Sequence, residues 1–215
     1  MSFLNQLKSQ ANSLQDQRTQ QEVNLEENTA ATEKAMRIVF DYLQELARQL
    51  NVIKPPAPSF SLDGKTPWAQ MQLSDFRADA RRKQLRNKEV FDFVALGWQV
   101  LPQVGRPIGG VVTVNFPPDL QRVQDRIALG VVQHERKEVR HPETNKLQAY
   151  VFEYVTQTRA SVTAVAEHDR AEVAFRLVNT AGFELVKTNW PAARINQEVL
   201  DELAKRIVSQ PSRFV

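Results

Sequence analysis

An α+β protein, a mainly antiparallel β-sheet covered by helices and carrying a long N-terminal helical arm, is predicted by three observations. From Ser2 to Ile53 there is neither glycine nor proline. That segment is dominated by Ala, Leu, Gln, Glu, Lys and Arg, which lose little freedom in a helix. From Met71 to Lys187 apolar and polar residues alternate in consecutive runs, the period of half-buried strands. After Pro191 the period changes, and Ile195, Val199, Leu203 and Ile207 recur four residues apart. Strands in a run with helices at both ends point to an antiparallel sheet rather than to βαβ units. The expected organisation is an arm over residues 1–53, a proline-rich linker over 54–67 and a β-rich body over 68–215 with a C-terminal helix.

The arm carries a heptad register. With Leu4 at an a position, Leu7, Ala11, Leu14, Arg18, Gln21, Leu25 and Asn28 fill successive d and a sites, and Thr32, Ala35, Val39, Tyr42 and Leu46 continue without a slip. Met36, Leu43 and Leu50 widen the stripe in the second half, as a helix lying on a globular core requires. Residues 33–50 are therefore expected to pack on the body. Residues 3–27, interrupted by Arg18 and Gln21, are too polar for a stable isolated helix and need a partner or stay solvated. One helix of this length spans roughly 70 Å, longer than a compact domain of this size. The competing arrangement is a break near Asn24–Thr29, with Asn28 or Thr29 capping a second helix folded back on the core.

Lys54-Pro55-Pro56-Ala57-Pro58 must end the helix, and the prolines give the linker its stiffness. Gly64-Lys65-Thr66 invites comparison with a phosphate-binding loop, but that motif wants glycine where Ser59 stands, and Asp63-Gly64 more simply makes a turn. In the body, strands are expected at 90–101, 109–115, 131–140, 147–158, 160–166, 171–177 and 183–187. A short helix opening at Pro117-Pro118 is stopped by Gly130, and His141–Lys146 connects a hairpin. Residues 75–88 alternate as a strand but have the composition of a helix. They are read as a strand paired with 90–101 through a short connection at Asn87-Lys88.

Composition narrows the function. A length of 215 residues with 42% hydrophobic and 25% charged residues suits a folded domain with a substantial core. The absence of cysteine excludes disulfides, thiolate metal sites and a cysteine nucleophile. No apolar stretch, Ile108–Val114 included, is long enough to span a bilayer, and the N-terminus turns polar at once. A cytoplasmic protein without membrane contact is the expectation.

Two interaction sites follow. Leu4, Leu7, Leu14 and Leu25 are the candidate interface of the arm, toward a second copy of the chain or another protein. Arg77, Arg81, Arg82, Lys83 and Arg86 are anion-binding candidates, with nucleic acid as the alternative partner. Residues 1–50 carry a net charge of −2 and the remainder +5, a mild asymmetry. The bland reading of the basic cluster is ion pairing with Glu135, Glu138 and Glu153 on neighbouring strands. His134, His141 and His168 form no metal-ligand spacing and read as surface residues, while Glu153, Glu172 and Glu184 could meet across strands. Trp68, Trp98 and Trp190 read as core. No catalytic residue, cofactor or metal is expected. The chain is read as a non-enzymatic interaction or oligomerising module, with a pocket between sheet and helices as the residual alternative.

Overall fold

The N-terminal segment forms one uninterrupted helix in the computed structural model, which describes residues 3–215. Helix α1 runs Phe3–Ile53, 51 residues and about 77 Å long. The break considered at Asn24–Thr29 does not occur. The Thr29 and Thr32 hydroxyls donate back to the carbonyls of Leu25 and Asn28 at 2.7 and 2.8 Å and cap nothing. Burial begins at Thr29 and follows Thr32, Ala35, Met36, Val39, Leu43, Ala47 and Leu50. Met36, Val39 and Leu43 are fully buried, and each contributes about 1.5–3 kcal/mol through removal of apolar surface from water.

That stripe lies on a five-stranded antiparallel sheet of order β1-β2-β6-β7-β8 (Met71–Leu85, Lys88–Pro102, Thr158–Glu167, Glu172–Val178 and Leu185–Pro191). Val94, Leu96, Val100, Val162, Ala164, Phe175 and Leu177 fill the face beneath α1. Helix α3, Gln197–Ile207, covers the same face through Leu200, Leu203 and Ile207, and the Tyr42 hydroxyl donates to Asp201 at 2.7 Å. The opposite face of this sheet is open. A three-stranded sheet of order β3-β5-β4 (Gly109–Val114, Leu147–Val155 and His134–Arg140) joins the same core with helix α2, Pro117–Gly130.

Residues 75–88 are strand, as alternation indicated. Their helix-favouring composition is outweighed by the ladder with β2, closed by the two-residue turn Arg86-Asn87 with φ of 50° and 62°. Two irregularities shape this pair: Asp92 is an extra residue of β2 opposite Arg81 and Arg82, and a second bulge lies in β1. Asp75 and Phe76 together oppose Trp98, which leaves the Phe76 backbone off the ladder, and the Asn51 side chain takes over. Its Oδ1 accepts from the Phe76 N–H at 2.8 Å and its Nδ2 donates to the Phe76 carbonyl at 2.9 Å. The end of α1 is thereby pinned to the edge strand.

Several boundaries differ from expectation. Residues 147–158 are not one strand: β5 ends at Val155, and Thr158 begins β6 in the other sheet. The last strand is Leu185–Pro191, so Pro191 closes a strand; a 3₁₀ turn, Ala192–Arg194, precedes α3, which the Asn196 side chain caps at 3.0 Å from the Val199 N–H. Strand β4 starts only at His134, because Val131 is the left-handed C-cap of α2 (φ 50°). Gly130 serves close packing: a Cβ there would lie 2.5 Å from both Phe183 and Thr158. Nor is the proline-rich segment a free spacer. Ala57 N–H donates to Met71 O and Leu73 N–H to Pro55 O, both at 2.8 Å, and Phe60, Leu62 and Trp68 are buried. Trp68 stacks on Phe60 and on Tyr154 of β5, and Phe183 meets Phe60 and Trp68 edge-on, so this segment packs against the three-stranded sheet.

The two halves of α1 should respond oppositely to the same substitution. Leu43→Ala is expected to destabilise by about 2–5 kcal/mol through lost burial and a cavity, whereas Leu14→Ala, at a side chain that packs on nothing in its own subunit, should stay within about 0.5 kcal/mol at a concentration that keeps the chain monomeric. Urea denaturation of the two variants checks this.

Candidate functional site

Every described side chain from Gln10 to Asn24 is exposed, so α1 leaves the body as a rod of about 37 Å. Leu7 and Leu14 are 45% and 56% exposed and touch no other part of the chain's core. Leu25 is half-buried at the point where the rod meets the body. The Leu4 side chain lies outside the described residues. The arm thus keeps Leu7, Ala11 and Leu14 uncovered along one side.

The root of the rod is held by two hairpin turns. The Arg86 guanidinium donates to the Thr29 hydroxyl at 2.8 Å and pairs with Asp169 in the β6–β7 turn, while Asn28 Nδ2 donates to the Asp169 carbonyl at 2.9 Å. Farther along, Glu33 accepts from the Phe91 N–H at 2.6 Å, and Lys88 approaches Glu26 at 3.3 Å. Arg82 lies 4.3 Å over the Phe91 ring.

The basic strand is therefore divided between two faces. Arg82 and Arg86 point toward α1, whereas Arg81 and Lys83 reach Asp92 at 3.8 and 3.0 Å on the other side. Arg77 pairs with Asp75 at 3.1 Å. The expected partners Glu135, Glu138 and Glu153 are not the ones used. They sit on the three-stranded sheet, where Lys137 pairs with Glu135 and Glu153, and Arg140 with Glu138. The carboxylates Glu153, Glu172 and Glu184 do not meet either: Glu153 takes Lys137, Glu172 faces Asn189, and Glu184 accepts from Arg206 and Thr180.

His168 is a further correction, being only 4% exposed. Its Nε2 lies 2.7 Å from the Phe91 carbonyl, and its Nδ1 has no partner. It belongs to the packing beneath the hairpins. Trp68 and Trp98 are core residues and Trp190 is partly buried. Among the described residues no group of three His, Asp or Glu side chains is arranged to hold a metal ion, and no helix is long and apolar enough to cross a membrane.

The Gly64-Lys65-Thr66 segment is organised by a carboxylate. Asp63 accepts from the backbone N–H groups of Lys65 and Thr66 at 2.8 and 2.7 Å and from the Ser61 and Thr66 hydroxyls. Partial burial alone would raise its pKa, but these hydrogen bonds outweigh it and bring the group from 3.8 down to about 2. A loop whose N–H groups already serve a carboxylate has no cradle left for phosphate. No known protein family, curated protein or solved structure matches this chain.

Two measurements follow. Because folding depresses the Asp63 pKa, its contribution is present above the unfolded value and is lost as pH falls from about 4 to about 2. Asp63→Ala should therefore be less stable than the parent at neutral pH, with the gap closing near pH 2 in a denaturation series. Arg86→Ala should speed amide exchange over residues 25–33 while leaving α3 unaffected, read by hydrogen–deuterium exchange.

Proposed function

We propose that this protein is a non-enzymatic assembly module whose N-terminal arm pairs with the arm of a second copy. The observation carrying this reading is the continuity of α1: one rigid element is buried in its own body from Thr29 onward and presents Leu7, Ala11 and Leu14 uncovered before it. An antiparallel pair fits the side chains best. It sets Leu7 against Leu25 of the other arm and lays Arg18 along Leu14, so its aliphatic stem covers the leucine. Lys8 and Glu22 then oppose one another at flanking positions on both sides of the seam. A parallel pair would instead bring Arg18 onto Arg18 in the seam. Antiparallel arms also keep the two bodies at opposite ends, where they do not collide. A cytoplasmic location belongs to the same reading and rests on composition.

Binding of nucleic acid through Arg77, Arg81, Arg82, Lys83 and Arg86 is the second reading. What favours it is that Arg77 and Arg81 remain largely exposed at 80% and 71% despite their partners. What weakens it is that all five cations already face a carboxylate.

Sedimentation equilibrium on the full chain tests the first reading. The parent should sediment as a species of twice 24.6 kDa. The double variant Leu7→Asp, Leu14→Asp should be a monomer whose thermal unfolding matches that of the parent diluted until its dimer dissociates, since neither side chain supports the body. A parent that stays monomeric at high concentration refutes self-association.

A further inference from the structure

The open face of the five-stranded sheet holds a groove of about 870 Å³, walled on one side by the end of α2 through Ala128 and Leu129. Strand register places its polar groups. Gly97 stands between Arg77 on β1 and Ser161 on β6, and Ser161 pairs in turn with Val178 on β7. Arg159 and Arg176 lie two residues from that last pair, on opposite sides of it. Three arginines therefore surround a floor made by Gly97 and Ser161, and all three line the groove. A Cβ built on Gly97 meets nothing within 4 Å, so the floor is open to a ligand.

The charges here are unequally satisfied. Arg77 is held by Asp75 at 3.1 Å, and Gln99 by Asp75 at 3.3 Å. Arg159 and Arg176 have no carboxylate within 4.0 Å and no side-chain hydrogen bond among the described residues. The remaining acid, Asp125 on α2, takes the Gln121 amide on Oδ1 at 2.7 Å and leaves Oδ2 free. The volume far exceeds a bare ion and lies in the range of small-molecule sites.

We infer that this groove binds a phosphorylated small molecule of about nucleotide size, its phosphate held by Arg159 and Arg176 over Ser161 and a ligand hydroxyl received by Asp125. Guanidinium forks match phosphate oxygens bidentately, and the Ser161 hydroxyl adds a donor on the floor. The lone carboxylate on the wall suits a ligand with one anionic end and a hydroxylated body better than a uniform chain of phosphates. The site is separate from the arm and does not depend on self-association.

Isothermal titration of the full chain at low ionic strength provides the test, with adenosine monophosphate and ribose 5-phosphate as probes and adenosine as the uncharged control. Both esters should bind and adenosine should not. Arg159→Gln and Arg176→Gln should each weaken binding roughly tenfold or more, with urea unfolding little changed because neither guanidinium makes an ion pair or side-chain hydrogen bond among the described residues. Asp125→Asn should leave the phosphate contact intact, so it retains most of the affinity. The inference is overturned if neither ester binds, if adenosine binds as well as its monophosphate, or if the arginine variants bind like the parent.

Discussion

A helix that covers a sheet is bound to the sheet only as far as its apolar stripe extends, yet its own hydrogen bonds carry it on until something breaks them. In this protein the stripe on α1 begins at Thr29 and nothing breaks the helix before Phe3. The rest of the architecture depends on that mismatch. Met36, Val39, Leu43 and Leu50 close one face of the five-stranded sheet, and the same rigid element then extends far beyond it. Because the covered half is anchored by burial, the exposed half can be polar and still hold a helical direction.

Polar contacts fix where the helix sits along the sheet, which apolar packing alone does less sharply. Asn51 repairs the interrupted ladder at Phe76, and Arg86 with Asp169 and Asn28 grips the opposite end of the packed segment. Between them Glu33 reaches the Phe91 amide. Individually the exposed pairs are worth little, about 0–1 kcal/mol each. Together they select one axial register, since sliding the helix by a turn would break all of them at once.

The fold class was legible because it rests on periodicity, which local sequence carries. The helical character of residues 3–53 and the amphipathic pattern of Ile195–Ile207 follow from spacing; spacing left a break at 24–29 open, and in 75–88 alternation and composition pulled opposite ways. What escaped depends on contacts between distant segments. The division of 147–158 between two sheets hinges on Thr156, whose hydroxyl and amide both bond Ile108. Pro191 looks like a helix start, but its N–H-free position suits an edge strand equally well. The partners of Arg81, Lys83 and Arg86 come from a bulged neighbour and a turn some eighty residues away, so charge runs could not reveal them. Arg159 and Arg176 stand in separate strands with no local motif, and only the antiparallel register brings them to one groove. A pattern of isolated arginines at outward strand positions is the signal that a sequence reading could have followed.

The arm also acts as a lever. With its fulcrum at Thr29 and Arg86 and about 37 Å of shaft beyond, a tilt of about 5° at the root sweeps the tip through about 3 Å. Small rearrangements of two surface hairpins are magnified into displacements as large as a side chain. A load placed on the far end would by the same leverage be delivered to the Arg86–Asp169 junction and its two turns.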